Sequence, residues 1–328
     1  MPAAYYPSPK QHREGEWLVT HPLSEHDSVA VAALRSAVAP TKGVFDGIAG
    51  RERFDAFVQS VPAPRDATFE AATIGGTRGW WARTPSSHKD AAIMYIHGGW
   101  FTWGRAEAFR NVAGHIASSA GTDTFVPDYR LAPEHPFPTA VRDVEACYRG
   151  LIDAGSQKLA IVGDSAGGNL ALALLSIAAT HARPNSARPV GAVVFSPITD
   201  LALTGESYTL RAEADLYFTK AEAATLARNY LGGANPTDST ASPLYADLTE
   251  LPPIRVHVGD DEVLLDDSRR YVEKALAAGV DAKLDVWLGM PHGFALNIGM
   301  FDASAKALEF SGAFLAECLK STASHRDQ

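Results

Sequence analysis

The chain alternates short apolar runs with longer segments of helical periodicity, and no other feature constrains its fold so strongly. The apolar runs predict buried strands at residues 91–97, 124–129, 158–163, 192–196, 254–259 and 283–288. Between them, apolar residues recur every three or four positions, which is typical of amphipathic helices. This alternation predicts an α/β fold with a mostly parallel central sheet flanked by helices. The earlier segments ATFEAATI and GWWARTP predict an antiparallel strand pair at one edge.

Two regions with helical patterns fall outside this alternation. SEHDSVAVAALRSAVA and GRERFDAFVQS lie in the first 60 residues, and TKAEAATLARNYLGG lies in a polar stretch punctuated by proline and glycine. We expect both regions to pack together as a helical cap over one end of the sheet. The predicted division is a cap segment at 1–60, a first core part at 61–199, a cap insertion at 200–248 and a second core part at 249–328.

Charge and composition argue against several classes of protein. The 328 residues carry a formal net charge of −9 with no compensating cluster of Lys or Arg, so we expect no nucleic acid partner. No run approaches the roughly 20 apolar residues of a membrane span, and the N-terminus lacks a charged region followed by an apolar one. The two cysteines do not indicate a disulfide scaffold. We therefore expect a cytoplasmic protein without a membrane span.

The strongest local motif is Gly163-Asp164-Ser165-Ala166-Gly167, which lies between a predicted strand and a predicted helix. This G-x-S-x-G pattern in that context is typical of a nucleophilic serine on a turn so tight that side chains at the glycine positions would clash. The turn exposes the hydroxyl at a helix N-terminus, where backbone N–H groups point outward. The sequence therefore predicts Ser165 as a nucleophile.

A second motif, HGGWF at 97–101, directly follows the strand that precedes it. Two successive glycines leave the backbone bare, so that its N–H groups can approach a ligand oxygen. Acyl transfer builds negative charge on such an oxygen, and backbone donors can stabilise it. We expect the N–H groups of Gly98, Gly99 and Ala166 to form this oxyanion hole.

A base for Ser165 is expected after a late strand, because hydrolases of this type order their residues as serine, acid and histidine. Of the eleven histidines, only His292 has this position and a glycine beside it. The acid should lie between them, in GDDEVLLDD at 259–267, where several carboxylates compete. Helix N-terminal and turn positions explain some of these carboxylates, which leaves Glu262 and Asp261 as candidates.

Three stretches together resemble the hormone-sensitive-lipase-like family of bacterial esterases. HGGWF resembles the family's HGGGF loop, GDSAGG resembles its nucleophile turn, and DYRLAPEHPFP at 128–138 is a family hallmark for which the sequence suggests no catalytic role. The family's acid segment D-P-L-x-D-E, aligned without a gap, begins at Glu262, and the interval to His292 (292 − 262 = 30) is similar to the family's. The resemblance therefore favours Glu262 over Asp261.

The resemblance implies an α/β-hydrolase fold and hydrolysis of short- to medium-chain carboxylic esters through an acyl-enzyme. It also suggests a homodimer, but the apolar face of the C-terminal helix pattern is explained equally well by packing on its own sheet. We expect no cofactor or metal, because the sequence has no CxxC, HExxH or phosphate-binding glycine loop. One departure is Trp100, which stands at the third glycine of the family loop and is expected to narrow the pocket or to form one wall of it. Bulky tertiary-alcohol esters are therefore doubtful substrates. The predicted pocket lining is Trp100, Phe101, Tyr217, Phe218 and Phe294, with Trp17 and Trp103 as further candidates.

Two other interpretations fit the same motifs. An amidase or an acyltransferase would keep the serine, the histidine and the acid and change only the substrate or the acceptor. A non-catalytic small-molecule-binding protein on a hydrolase scaffold, similar to the plant gibberellin receptors, would belong to another class. Those receptors have lost the catalytic histidine, whereas Ser165, His292 and a carboxylate are all present here.

Overall fold

The computed structural model describes residues 17–44, 46–87, 89–180 and 187–320. The first 16 residues of the predicted cap segment and the last 8 of the second core part lie outside the described residues. Within the described ranges, no helix combines the length and the apolar character that crossing a membrane requires.

The described strands form one nine-stranded sheet, in the order β1-β9-β8-β7-β6-β4-β5-β3-β2. Neighbouring strands are parallel except where β3 pairs with β5 and with β2. The mostly parallel sheet and the antiparallel pair at one edge are both as predicted. The strands are β1 (Leu18–His21), β2 (Thr68–Ile74), β3 (Thr77–Arg83), β4 (Ala91–Ile96), β5 (Thr124–Pro127), β6 (Lys158–Asp164), β7 (Pro189–Phe195), β8 (Ile254–Asp261) and β9 (Ala282–Pro291).

Strand β1 was not predicted. It lies in the segment assigned to the cap, yet it extends the central sheet by pairing in parallel with β9, with Leu18 opposite Leu284. Four residues at a sheet edge carry too little periodicity to be recognised. The first described residues therefore belong to the sheet, and only the helices that follow lie outside it.

Helices cover both faces of the sheet. Helices α3 and α9 pack on one face, where Phe109, Val162 and Leu315 are buried in a common core. Helices α4, α5 and α8 pack on the other face, around residues such as Ile161 and Leu172. The helices are α1 (Glu25–Val38), α2 (Arg51–Gln59), α3 (Ala106–Ala120), α4 (Thr139–Asp153), α5 (Ala166–Thr180), α6 (Ser207–Leu210), α7 (Lys220–Leu231), α8 (Leu265–Ala277) and α9 (Asp302–Lys320).

The two regions assigned to the cap contact each other. Lys42 Nζ donates a hydrogen bond to the carbonyl oxygen of Ala212 at 2.7 Å. The backbone N–H of Gly43 donates to the carbonyl oxygen of Tyr217 at 3.2 Å. These contacts join the segment after α1 to the loop before α7. The exact domain division stays a prediction.

The topology brings the candidate residues to one edge of the sheet. Strand β4 ends just before His97, β6 runs into Ser165, β8 ends just before Glu262, and β9 ends just before His292. These four strands are parallel to one another, so their carboxyl ends meet at the same edge. Residues that are far apart in the chain therefore converge there.

Candidate active site

Ser165 occupies a tight turn between β6 and α5. Its backbone has φ 54°, a left-handed conformation that is uncommon for a residue with a side chain. A β-carbon on Gly163 would lie 2.4 Å from the carbonyl oxygen of Gly167, and one on Gly167 would lie 2.0 Å from that of Ile96. Only glycine fits at either position, as the motif predicted.

The structure brings Ser165, His292 and Glu262 into one hydrogen-bonded chain. His292 Nε2 lies 3.2 Å from Ser165 Oγ. On the other side of the ring, His292 Nδ1 lies 2.7 Å from Glu262 Oε2. This is the arrangement in which an imidazole can accept a serine proton while a carboxylate fixes the tautomer and orientation of the ring.

The geometry separates the two candidate acids. Glu262 is fully buried, and its other oxygen, Oε1, accepts hydrogen bonds at 2.7 Å from Ser196 Oγ and from the backbone N–H of Gly259. Asp261 instead forms an ion pair with Arg35 of helix α1, with Arg35 Nη2 3.2 Å from Asp261 Oδ2. Glu262, and not Asp261, is therefore the partner of His292.

The pKa of His292 is raised above its ordinary value, although its surroundings exert opposing effects. Burial of the imidazole disfavours its charged form and by itself lowers the pKa. The hydrogen bond to Glu262 and the negative charges of Glu262, Asp215 and Asp164 act in the opposite direction and outweigh burial. The site is thus built to favour a protonated imidazole once it forms.

The HGGWF loop differs from the prediction at Gly98. The N–H of Gly98 donates to Asp164 Oδ1 at 2.9 Å, and a β-carbon on Gly98 would lie 2.1 Å from Asp164 Oδ2. A donor already bonded to a buried carboxylate is not available to a ligand, so the prediction that Gly98 contributes to an oxyanion hole is wrong. Gly98 is needed because the loop passes so close to the nucleophile turn.

Other backbone N–H groups near the turn are not bonded in this way. Within the part of the chain that the structure describes, the N–H groups of Gly99, Trp100 and Ala166 have no acceptor. Ala166 is the first residue of α5, where an N–H lacks an intrahelical partner. Trp100 has φ 52°, so the left-handed conformation that a glycine would favour is occupied by a tryptophan.

Asp164 is a site residue that sequence reasoning missed. It is buried, and Oδ1 accepts a hydrogen bond from Tyr95 Oη at 2.6 Å as well as the one from Gly98. Burial raises its pKa to about 6, although both hydrogen bonds stabilise the ionised form. The available signal was its position as a charged residue inside an otherwise small and apolar turn.

The DYRLAPEHPFP segment forms hydrogen bonds with the backbone of the HGGWF loop. Tyr129 Oη donates to the carbonyl oxygen of His97 at 2.8 Å, and the N–H of Ala132 donates to that of Phe101 at 2.8 Å. This segment, which carried no predicted chemistry, therefore fixes the backbone on either side of the candidate oxyanion donors.

Arg51 of helix α2 connects the same segment to the cap. Its guanidinium donates to the carbonyl oxygens of Thr102 and Ala132 and to both oxygens of Glu134. The hydrogen bonds from Arg51 lower the pKa of Glu134 to about 2. One side chain therefore joins the cap, the HGGWF loop and the hallmark segment.

Three of the predicted lining residues lie together at the site. The ring of Phe218 makes edge-on contacts with His292, at a centroid distance of 5.2 Å, and with Trp100, at 5.5 Å. Tyr217 precedes it in the same half-buried loop, and burial raises the pKa of its hydroxyl to about 12. Trp100 is 1% exposed and so contributes mainly by packing against Phe218.

Phe101 and Phe294 do not line a pocket, contrary to the prediction. Both are 0% exposed. The ring of Phe101 stacks on Tyr230 of helix α7 at a centroid distance of 3.6 Å. Phe294 packs against Trp287 in the core on the other face of the sheet. Phe101 directly follows Trp100, and Phe294 lies two residues after His292, but the side chains of both point away from the site.

Trp17 and Trp103 also lie elsewhere. The carbonyl oxygen of Trp17 accepts a hydrogen bond from the N–H of Leu284, near the start of β9, whereas His292 follows its end. Trp17 therefore lies near the amino end of β9, whereas the site lies at the carboxyl ends of the strands. Trp103 Nε1 donates to the carbonyl oxygen of Gly47, so its ring anchors the segment before α2.

The chain is similar to known α/β-hydrolases and esterases. A family model described as an alpha/beta hydrolase fold matches residues 93–296. An acetyl-hydrolase of Streptomyces hygroscopicus is 35% identical over 75% of this chain and 82% of its own length. An esterase of Acinetobacter venetianus is 34% identical over 75% of this chain and 81% of its own. The crystal structure of an esterase from the bacterial hormone-sensitive lipase family superposes with a TM-score of 0.83 at 36% identity, covering 90% of this chain and 99% of that one.

We expect the substitution Tyr95→Phe to destabilise the protein more at pH 8 than at pH 5. The Tyr95 hydroxyl stabilises the ionised form of Asp164, whose pKa is about 6, so its loss matters most where that carboxyl is charged. Loss of a hydrogen bond to a charged group costs about 1.5–3 kcal/mol. Urea unfolding at both pH values measures the difference.

Tyr148→Phe is the matched control, because its hydroxyl donates to the neutral carbonyl oxygen of Ala187 at 2.8 Å. Its effect on the free energy of unfolding should be the same at both pH values. An equally pH-independent loss in Tyr95→Phe would contradict the assignment of a charged Asp164 as its partner.

Proposed function

Because the chain belongs to the α/β-hydrolase family, among the bacterial hormone-sensitive-lipase esterases, it is an ester hydrolase, and we propose that it cleaves short- to medium-chain carboxylic esters with Ser165 as nucleophile. The observation that carries the proposal is the chain of contacts from Ser165 Oγ through His292 to the buried Glu262. A solved structure and a sequence relative, both described as esterases, support the same reaction class.

In the proposed reaction, His292 Nε2 accepts the Ser165 proton while Oγ attacks the ester carbonyl carbon. The tetrahedral intermediate collapses, the bond to the alcohol oxygen breaks, and the His292 proton passes to the departing alcohol. Water then attacks the acyl-enzyme, again with His292 as base, and releases the carboxylic acid and Ser165. Glu262 accepts the hydrogen bond from His292 Nδ1 and stabilises the imidazolium in both steps.

The negative charge on the tetrahedral oxygen requires donors, and we assign them to the N–H groups of Gly99, Trp100 and Ala166. These groups have no acceptor within the described part of the chain, whereas the N–H of Gly98 does. Each such donor typically contributes 10²–10³-fold to the rate, about 2.7–4 kcal/mol. Because backbone N–H groups are fixed by the fold, they need little reorganisation when charge develops.

We infer the preference for short acyl or alcohol groups from the aromatic rings beside His292. Trp100, Phe218 and His292 contact one another in sequence, so one wall of the site is rigid and aromatic. A relative named acetyl-hydrolase is in line with a small acyl group. The homodimer and the cytoplasmic location stay predictions.

Hydrolysis of p-nitrophenyl esters from acetate to laurate tests the proposal. We expect wild-type activity to peak at short chains and Ser165→Ala to lose ~10³-fold or more in kcat, since the nucleophile is removed. Ser36→Ala, which changes an exposed serine on helix α1, is the control and should retain wild-type activity. Absence of ester turnover with activity on the matching anilides would instead favour an amidase. Absence of both, with no labelling of Ser165 by a fluorophosphonate, would favour a binding protein.

The acid limb of the pH profile tests the assignment of His292. Only the neutral imidazole can accept the serine proton, so kcat/KM should rise through a pKa above 6.5, the ordinary value that the site raises. Glu262→Gln removes the largest favourable contact and should move this limb to lower pH while lowering kcat on the order of 10³–10⁴-fold. Asp261→Asn, which breaks only the contact to Arg35, should do neither. A limb that stays in place in Glu262→Gln would contradict the assignment.

Removal of the Trp100 ring should widen the range of substrates. In Trp100→Gly the left-handed backbone conformation suits the new residue, and the space of a fully buried indole beside Phe218 becomes available. We expect tert-butyl acetate to react faster relative to ethyl acetate than in the wild type. A ratio that stays unchanged would show that Trp100 does not limit the alcohol group.

A further inference from the structure

Asp215 is a buried carboxylate that the reaction described above does not use. Its side chain is inaccessible, and it lies in the cap insertion between α6 and α7. Oδ1 accepts hydrogen bonds at 2.8 Å from the N–H groups of Tyr217 and Phe218. Oδ2 accepts one at 2.8 Å from the N–H of Val263, 48 residues further along the chain. A turn-forming aspartate would need only the first two bonds, so the third calls for another explanation.

The third bond joins the cap to the acid of the site. Val263 directly follows Glu262, whose carboxylate holds His292. The first two bonds fix the backbone of Phe218, whose ring lies edge-on to His292 and to Trp100. Through one carboxylate, the cap loop is therefore attached to the loop that carries the acid, and an aromatic ring is held against the base.

The charge of Asp215 also acts on His292. Among the described residues, the carboxylates that raise the pKa of His292 are Glu262 from the β8–α8 loop, Asp215 from the cap and Asp164 from the nucleophile turn. No ion pair of the described residues includes Asp215, and the guanidinium of Arg211 in the same segment lies 3.9 Å from Asp260 Oδ2 instead. The titratable groups that the charge of Asp215 influences are His292, Asp261, Glu222, Tyr208 and Tyr217.

We propose that Asp215 is a positioning residue of the esterase reaction, which attaches the cap to the acid loop, holds Phe218 against His292 and supplies a second negative charge toward the imidazolium. The proposal rests on the proposed function. It makes the cap a part of the proton-transfer machinery and not only a cover over the substrate. Asp215 acts through His292 and Phe218 and does not itself contact the reacting atoms.

Two substitutions test separately the charge of Asp215 and the length of its side chain. Asp215→Asn keeps the shape and removes the charge, and it presents N–H groups to at least one of the backbone donors. Asp215→Glu keeps the charge but is longer by one methylene, so Phe218 and Val263 must shift. Asp238→Asn is the matched control, because Asp238 also accepts a backbone N–H in the cap, from Thr240 at 2.8 Å, without acting on His292.

For Asp215→Asn we expect the acid limb of kcat/KM to move to lower pH by roughly 0.5 unit or more, because a negative charge that favours the protonated imidazole is lost. We also expect kcat at the plateau to fall on the order of 10-fold. Asp215→Glu should lower kcat by a similar factor with its acid limb at the wild-type pH. Asp238→Asn should match the wild type in both respects.

If both Asp215 variants keep the wild-type kcat and acid limb and lose only melting temperature, Asp215 is purely structural and the proposal is overturned. Phe218→Leu provides a test that leaves the buried carboxylate intact. It should lower kcat for p-nitrophenyl acetate with little change in KM and in the acid limb, and an unchanged kcat would overturn the positioning of His292 by Phe218.

The rate at which a fluorophosphonate labels Ser165 distinguishes this proposal from the one on which it rests. If wild-type Ser165 neither labels nor turns over esters, the proposed function fails. If the wild type reacts and Asp215→Asn reacts at the same rate with the same pH dependence, only the inference about Asp215 fails.

Discussion

The hydrogen bond between His292 and Glu262 is the interaction around which the site is arranged. A fully buried carboxylate is costly unless every oxygen finds donors. Here Oε2 faces the imidazole, and Oε1 is satisfied by Ser196 and by the backbone of Gly259. Because these donors come from the ends of β7 and β8, the parallel sheet itself positions Glu262, and Glu262 positions His292.

Buried carboxylates recur wherever a loop must be held at the site. Asp164 accepts the N–H of Gly98 and so fixes the HGGWF loop to the nucleophile turn. Asp215 accepts N–H groups from the cap and from the residue after Glu262. Each stabilises a loop backbone that cannot rely on strand or helix pairing, since its N–H groups would otherwise be buried without a partner. The same charges favour a protonated His292. The buried carboxylates that hold the loop backbones therefore also raise the pKa of His292.

The cap contributes to this order through polar contacts as well as packing. Arg51 of α2 donates to the carbonyl oxygen of Thr102, which follows the HGGWF loop, and to that of Ala132. Arg35 of α1 pairs with Asp261, which precedes Glu262. The stacked rings of Phe101 and Tyr230 join the same loop to α7. Helices α1, α2 and α7 thus contact loops near Ser165 and His292, so a change in these helices is expected to affect the site without contacting substrate.

The sequence by itself determined the α/β alternation, the edge pair β2–β3 and the identities of Ser165 and His292 as the residues that meet, because periodicity and tight turns are local properties. It did not decide between Glu262 and Asp261 without the family resemblance, since the sequence does not show in which direction each of two neighbouring carboxylates points. Strand β1 escaped because a short edge strand is defined by its partner β9. The tertiary structure alone decided that the N–H of Gly98 is bonded to Asp164 and that Phe101 and Phe294 face the core. The reason is that local sequence states which groups are present, whereas the direction of an N–H or a ring is set by residues distant in the chain.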